Sequence, residues 1–275
     1  VPMSRFTNPE HHLQSMFKPI LKIFKGKHVV KRPRLPPGER AYVIGDIHGC
    51  HDLFDALVHA IEADDKIGDH TTSTAILLGD LVDRGPDSAG VIKLARLWAE
   101  YRSVRYLFGN HEEMFMDAFD DIDVMRHFLK HGGRETILSY GVSEHVFNNA
   151  SAGELQKLMA EKVPEEDKAF LKQFEDMIVM GDYLFVHAGI NPKRSLDDQK
   201  PRELRWIRER FLEHKERHSH IVVHGHTIVE EIDERKNRIG IDTGAYKFGR
   251  LTALVLEDDR RRYIQAVETK KGNIK

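Results

Sequence analysis

Three segments of the sequence share one pattern, a glycine followed by a side chain that can bind a metal ion. They are GDIHG at 45–49, GDLVDRG at 79–85 and GNHEE at 109–113. A mixed set of carboxylate and imidazole ligands suits Mn, Fe or Zn better than Ca or Mg. Two such ions, held roughly 3.5–4 Å apart, can clamp the attacking and leaving oxygens of an in-line displacement. These residues therefore predict metal-dependent hydrolysis at phosphorus.

Several side chains in these segments are candidate ligands. Asp46 and His48 are two positions apart, so on an extended chain both point to the same side and can chelate one ion. Asp80 has two carboxylate oxygens with which to bridge two ions. Further oxygen and imidazole ligands follow: Asn110 and His111 in GNHEE, His187 in FVHAGI, and His224 and His226 in VVHGHT.

Strands of a sheet are expected to position the first three segments. Short apolar runs precede them, and a helix-period pattern follows each run. The runs are at 41–44, 74–78 and 104–108, and the helical patterns are at 52–63, at 87–98 and from about residue 111. This alternation predicts βαβ units with a parallel sheet. Because ligands bind beyond the carboxyl ends of such strands, the three segments should converge.

The sequence pattern from residue 112 onward predicts a helical insertion followed by a second sheet. Residues 112–178 are mostly helical in pattern and contain a possible capping box from Ser151 to Glu154. Strand patterns then return at 177–180, 183–186, 221–223, 227–232, 238–241, 251–256 and 263–267. Their short, close spacing favours antiparallel pairing.

Composition limits the class of protein. The 275 residues are 40% hydrophobic and 31% charged, as in an ordinary globular domain, without the long apolar run of a membrane span or the apolar core of a signal peptide. The single cysteine, Cys50, excludes an internal disulfide and predicts a reducing, cytoplasmic location. It is most simply a small packing residue at a helix start.

The beginning of the chain is basic although the whole is nearly neutral. Residues 1–40 contain nine Lys or Arg against two Glu, whereas the complete chain has a net charge of -2. Prolines at 33, 36 and 37 indicate a linker. We therefore predict a partly disordered or loosely packed leader at 1–39 and one domain at 40–270. A basic arm can hold polyanions, but a solvated leader is the simpler interpretation, and nucleic-acid binding is not expected.

The order GDIHG, GDLVDRG, GNHE, HAG and GHT resembles the phosphoprotein phosphatase family of metallophosphoesterases, over about residues 41–257. The similarity is greatest to bacterial and phage Ser/Thr phosphatases and to their diadenosine tetraphosphatase relatives. It implies a calcineurin-like α/β fold, with two mixed β-sheets in a sandwich flanked by helices. It also implies two metal ions, the first held by Asp46, His48 and Asp80, and the second by Asp80, Asn110, His187 and His226. The family's ligand is the histidine of GHT, which favours His226 over His224.

The same resemblance implies catalytic roles. His111 matches the family's general acid, kept protonated and oriented by Asp83, and Arg84 matches an arginine that grips the phosphate, where Asn110 also binds substrate. The WIRERF segment at 206–211 suggests Arg208 as a second arginine, with Arg202, Arg205 and Arg210 close by in sequence. Tyr246, in IDTGAYKFG, is expected near the site without an assigned role.

These observations predict a dinuclear phosphoesterase that hydrolyses phosphate monoesters by in-line attack of a metal-bridging hydroxide. The first expectation is a Ser/Thr protein phosphatase acting on phosphoproteins. The alternative is a bis(5'-nucleosyl)-tetraphosphatase that uses the same site. Manganese is the expected metal, and iron or zinc fit the same ligands. A non-catalytic metal scaffold should have lost a ligand or the acid-base pair, and no such loss is present. A nuclease is a third possibility, since related two-metal folds cut DNA, but the complete VDRG and GNHE elements favour phosphate monoesters.

Overall fold

The computed structural model describes residues 32–67, 72–269 and 274. The basic leader predicted at 1–39 lies outside the described residues as far as residue 31. Residues just after it already belong to the packed domain. Leu35 is buried and its backbone N donates to the carbonyl of Asp258 (3.0 Å), while the Tyr183 hydroxyl donates to the carbonyl of Pro33 (3.3 Å). The packed domain therefore includes residues before Arg40.

Two mixed five-stranded sheets form the framework, as predicted. The first has the order β10-β9-β1-β2-β3, in which β1 to β3 are parallel, and the second has the order β4-β5-β6-β8-β7. The strands are β1 Glu39–Ile44, β2 Thr72–Leu77, β3 Ser103–Tyr106, β4 Met177–Met180, β5 Tyr183–Val186, β6 Ile221–His224, β7 Asp233–Glu234, β8 Arg238–Gly240, β9 Arg250–Glu257 and β10 Arg260–Val267.

Helices surround the sheets, and a group of them forms an insertion between β3 and β4. They are α1 His51–Asp65, α2 Ser88–Ala99, α3 Asn110–Asp117, α4 Ile122–Phe128, a π-helical turn Leu129–Gly133, α5 Arg134–Ser139, α6 Glu144–Asn149, α7 Ala152–Lys162, α8 Glu165–Leu171, a 3-10 turn Leu196–Asp198, α9 Pro201–Trp206, α10 Glu209–Leu212 and α11 Ala245–Phe248. The predicted capping box is confirmed, because Ser151 Oγ accepts from Glu154 N and Ser151 N donates to the Glu154 carboxylate.

Successive side chains of a strand point to opposite faces of the sheet, so the apolar side chains pack into two separate cores. Val43 in β1 packs between the sheets with Phe185 and Val223 of the second sheet. Its neighbour Ile44 faces the other way, into the core beneath α1 and α2 that contains Trp98. The insertion has its own apolar core. Both faces of the first sheet are thus covered, which makes β1 and β2 rigid supports for the loops that follow them.

One prediction about the second sheet is wrong, and another holds only in part. Residues 227–232 form no strand, because His226 adopts φ +62° and turns the chain away as soon as β6 ends. The predicted antiparallel pairing is confirmed for β4-β5 and β7-β8, whereas β5-β6 and β6-β8 are parallel. Between β5 and β6 the chain returns through α9 and α10, which were not predicted. The strands predicted at 251–256 and 263–267 are β9 and β10, which belong to the first sheet.

Gly45 lies where the loop after β1 closely approaches the segment after β8. A Cβ at Gly45 would lie 2.5 Å from the carbonyl oxygen of Ile241. We expect Gly45→Ala to lower the free energy of unfolding by about 1–3 kcal/mol, measured by denaturant titration. Gly153→Ala in α7 is the control, because nothing lies within 4 Å of its added Cβ. It should be neutral or stabilise by about 0.5–1 kcal/mol, and equal destabilisation of both variants would contradict this explanation.

Candidate metal centre

Strained backbone marks the place where the loops meet. Among the residues that the structure describes, six other than glycine have positive φ. Five of the six are candidate site residues: His48, Asp80, Asp83, Arg84 and His226. Each such conformation costs about 1–3 kcal/mol and persists only where the surrounding structure imposes it. Their concentration in the predicted loops supports a functional site there.

Two groups of buried side chains could each hold a metal ion, and they share Asp80. One contains His48, Asp80 and His111, and the other contains Asp80, His187 and His226, with the ligand atoms of each group within 4.8 Å of one another. The shared carboxylate is in the position expected of a bridge between two ions. His111, expected to be the acid, lies in the first group, so it is beside the centre as that role requires.

Hydrogen bonds to the backbone orient two of the imidazoles. His48 Nδ1 donates to the carbonyl of Val82 (2.9 Å), and His187 Nδ1 donates to that of Leu78 (2.8 Å). Their Nε2 atoms then face Asp80, at 3.6 Å for His48 and 3.4 Å for His187. A carbonyl behind the ring fixes the tautomer and orientation of a metal-binding histidine.

Asp46, which follows β1 of the first sheet, and His226, which follows β6 of the second, complete the set. The His226 backbone N donates to Asp46 Oδ2 (2.9 Å). Buried Asp46 Oδ1 and His226 Nε2 have no hydrogen-bond partner within the described ranges. Burial, followed by the charge of His187, lowers the pKa of His226 to about 2, so its ring is neutral and its Nε2 lone pair is free to bind a metal.

The charges at the site fit divalent cations. Burial and the nearby Asp242 carboxylate raise the pKa of Asp46 well above its usual range, and burial raises the pKa of Asp242 to about 6. Asp242 Oδ2 is also buried without a partner among the described residues. Buried carboxylates with bare oxygens are costly unless a cation compensates them. The unpaired atoms and the mixed ligand types therefore fit the two metal ions that the resemblance implies.

His187 and Asp80 form a buried ion pair whose proton a metal ion could replace. Burial favours the neutral form of both groups, but their attraction outweighs it. The carboxylates of Asp80 and Asp46 raise the pKa of His187 to about 10, and His187 and His111 hold the pKa of Asp80 well below its usual range. Asn110 Oδ1 lies 3.0 Å from His187 Nε2, which brings the predicted amide ligand to the second group. A metal ion would replace the proton on His187 Nε2, so we expect metal binding to release protons.

Arg84 is close enough to act on a phosphate at the centre. Its Nη1 donates to His48 Nε2 (2.9 Å), and its guanidinium carbon lies 4.8 Å from the centre of the Tyr246 ring. Its backbone N donates to the carbonyl of Gly132 in the insertion (3.1 Å). Since a metal ion needs the same lone pair of His48, Arg84 must release this bond when His48 binds a metal, and its guanidinium then becomes available to an anion.

His111 and Asp83 form the predicted pair. His111 Nδ1 lies 2.6 Å from Asp83 Oδ2, and the hydroxyl of Thr136 donates to Asp83 Oδ1 (2.6 Å). Burial, together with the charge of Arg84, outweighs the attraction of Asp80 and lowers the pKa of His111 to about 4, and the protonation expected during catalysis stays a prediction. The unpartnered Nε2 faces the centre, so an anionic phosphate bound beside it would raise this pKa again.

Among the four candidate arginines of the 202–210 segment, Arg208 is the one beside the centre. Its Nη1 approaches the His226 carbonyl (3.5 Å) and Thr227 Oγ1 (3.4 Å). Arg205 instead pairs with Glu113 and Asp176, and Arg210 pairs with Glu203. His224 lies outside both metal groups, with its ring 5.0 Å from that of Phe211. The preference for His226 over His224 agrees with this placement.

Sequence reasoning missed three residues that shape the site. Glu112 accepts from the backbone N of Asp80 (2.7 Å) and of Gly109 (3.0 Å), so it ties two ligand loops together. Thr136 holds Asp83 from the insertion, 53 positions away, and no local pattern indicates it. Asp242 comes shortly after strand β8, as Asp46 comes shortly after strand β1. This repeated pattern of a strand followed by an aspartate could have identified Asp242 from the sequence.

Comparison with known proteins identifies the family. Residues 39–256 match the Calcineurin-like phosphoesterase family. The chain belongs to this family. A Bacillus subtilis (strain 168) bis(5'-nucleosyl)-tetraphosphatase PrpE [asymmetrical] is 27% identical over 238 residues, covering 76% of this chain and 88% of the relative.

Two further relatives agree with this membership. A protein of the same name from Bacillus velezensis is 30% identical over 156 residues, and the match spans 54% of this chain and only 55% of that relative. A crystal structure of a protein provisionally described as a diadenosine tetraphosphatase has a TM-score of 0.59 at 20% identity, covering 86% of this chain and 98% of that one. The last similarity shows the fold of this calcineurin-like phosphoesterase. Over the described ranges, none of its helices has the length and apolar character needed to span a membrane.

Replacing the two histidines of VVHGHT in turn tests the ligand assignment. We expect His226→Asn to weaken metal binding at least about 10-fold, because it removes an imidazole ligand. His224→Asn is the matched control and should keep the metal content of the unaltered protein, even if its lost packing lowers stability. Elemental analysis and calorimetric titration with Mn²⁺ measure both. Metal loss in the His224 variant, with retention in the His226 variant, would reverse the assignment.

Proposed function

We propose that this phosphoesterase hydrolyses bis(5'-nucleosyl) tetraphosphates or closely related dinucleoside polyphosphates. In this reaction water adds to one phosphorus, a P–O–P bond breaks, and the departing phosphate oxygen leaves as the anion or takes up a proton. The observation that carries the proposal is the pair of buried metal-binding groups that share Asp80, with Arg84 and Arg208 beside it. Relatives named for this activity support the choice of substrate.

The ligand sets divide between two sites in this proposal. Asp46, His48 and Asp80 would hold one ion, and Asp80, Asn110, His187 and His226 would hold the other. When bound, such ions supply positive charge to the attacking and leaving oxygens and to the phosphoryl group. Manganese is the expected metal, while iron and zinc fit the same mixture of imidazole, amide and carboxylate ligands.

The remaining residues bind and position the substrate. Phosphoryl transfer depends largely on positioning and on stabilising charge at the equatorial oxygens. The guanidinium of Arg84, once released from His48, can offer two parallel hydrogen bonds to a phosphate, and Arg208 can approach from the side of β6. His111 Nε2 would donate to the leaving oxygen, with its ring held by Asp83. Thr136 and Ser88 hold Asp83 in turn, since the backbone N of Asp83 donates to both hydroxyls at 2.9 Å.

A Ser/Thr protein phosphatase, the first expectation from the sequence, would use the same groups on a phosphate monoester. The relatives favour the nucleotide substrate instead. The two functions separate in a substrate panel with Mn²⁺-loaded protein. We expect a kcat/KM for diadenosine tetraphosphate at least about 10²-fold above that for phosphoserine and phosphothreonine peptides. Equal or higher efficiency on the peptides would contradict the nucleotide assignment.

His111→Asn tests the general acid. We expect kcat for a phosphate ester with a poor alkyl leaving group to fall by about 10²–10⁴-fold. The loss for p-nitrophenyl phosphate should be much smaller, because that leaving group departs without a proton. Metal content, measured in parallel, should stay unchanged, since His111 is not among the proposed ligands. Equal losses on both substrates would remove His111 from this role.

A further inference from the structure

A cavity of about 410 Å³ opens directly beside the metal centre. Small-molecule sites typically occupy about 300–1,000 Å³. The cavity lies between the starts of α1 and α2 and the segment that carries Tyr246. None of the groups that we assign to metal binding or proton transfer lines it. It is therefore a separate compartment that adjoins the reacting phosphate.

Arg84 and Tyr246 form the wall between the cavity and the centre. Both line the cavity, and both contact the ligand His48, Arg84 through its Nη1 (2.9 Å) and Tyr246 through ring packing at 5.2 Å. Tyr246 is partly exposed, at 38%. A substrate whose phosphate is bound by Arg84 therefore has its next group at the mouth of this cavity.

The lining favours an uncharged ring over a second phosphate. Leu53, Pro86 and Ala245 give it apolar surface. Three carboxylates also line it, Asp52, Asp87 and Glu268, of which Asp87 already accepts from the backbone N of Gly90. The Asp52 side chain is 88% exposed. Carboxylates repel the phosphate chain but accept hydrogen bonds from amino and imino groups. An exposed aromatic ring gives a nucleobase a surface for stacking.

We propose that this cavity binds one nucleoside of the substrate while the adjoining phosphates lie at the metal centre. This assignment rests on the proposed function, which it deepens by naming the residues that recognise the base. Tyr246 stacks with the base, and Asp52 and Glu268 accept hydrogen bonds from its amino group. A purine fits this pattern because its amino group can reach a carboxylate while its ring lies on the tyrosine.

The first experiment neutralises together the two lining carboxylates proposed to contact the base, as D52N/E268Q. Neither residue is among the proposed metal ligands or phosphate-binding arginines, so turnover of p-nitrophenyl phosphate, which lacks a nucleoside, should stay within about twofold. KM for diadenosine tetraphosphate should rise about 10-fold, because the amides keep an acceptor oxygen but lose the charge that strengthens the hydrogen bond. The matched control D123N/E161Q changes two exposed acids of the insertion and should leave both substrates unaffected.

The second experiment probes the two compartments separately in the unaltered protein. Adenosine and inorganic phosphate are used together as inhibitors of p-nitrophenyl phosphate turnover. We expect them to bind at the same time, adenosine in the cavity and phosphate at the centre, so that each leaves the apparent affinity of the other unchanged or improved. The D52N/E268Q variant should weaken inhibition by adenosine and not inhibition by phosphate. Mutually exclusive binding would overturn the assignment.

The outcomes separate this inference from the function on which it rests. If the unaltered protein cleaves diadenosine tetraphosphate but D52N/E268Q keeps its KM, the cavity assignment is wrong and the proposed function stands. If the unaltered protein turns over p-nitrophenyl phosphate but no dinucleotide, both are wrong. If the variant instead raises KM only for a phosphopeptide with neighbouring lysines, the cavity accepts basic side chains and the nucleoside assignment is overturned.

Discussion

The site is built around buried carboxylates that lie close together and need positive charge to compensate them. Asp80 lies at the meeting point of both metal-binding groups, almost completely buried, and three histidines face it. Asp46 and Asp242 place two more buried carboxyl groups nearby, and each has an oxygen without a partner among the described residues. Such an arrangement is unfavourable for stability alone. It becomes favourable when cations enter, and this coupling links the fold to the proposed chemistry.

The rest of the protein holds that unfavourable arrangement in place. Five residues of the site loops have strained, positive-φ backbone conformations. Hydrogen bonds to neighbouring elements stabilise these conformations. Glu112 joins the loops after β2 and β3 through backbone N–H groups, and Thr136 reaches Asp83 from the insertion. The insertion also packs Gly132 against Arg84, where a Cβ would lie 2.6 Å from Arg84 Cγ. It therefore supports the residues proposed for proton transfer and phosphate binding.

Local patterns predicted the parts of this architecture that are local in origin. The runs before Asp46, Asp80 and Asn110 are strands because β-rich apolar residues alternate there with helical segments, and their ends converge as parallel strands require. The pairing of the second sheet was not predictable in the same way, because it depends on the short helices α9 and α10 between β5 and β6. Contacts such as Thr136 with Asp83 join distant residues that carry no shared pattern, and the protonation of His111 depends on burial that only the folded chain shows.

The central claim is that two metal ions share Asp80, and electron paramagnetic resonance of the Mn²⁺-loaded protein tests it most directly. Two manganese ions bridged by a carboxylate lie close enough for their spins to couple. The account predicts two ions per chain by elemental analysis and a coupled spectrum, which Asp80→Asn should convert into that of isolated ions with reduced occupancy. One ion per chain, two uncoupled ions, or a coupled pair that persists in the Asp80→Asn variant would contradict it.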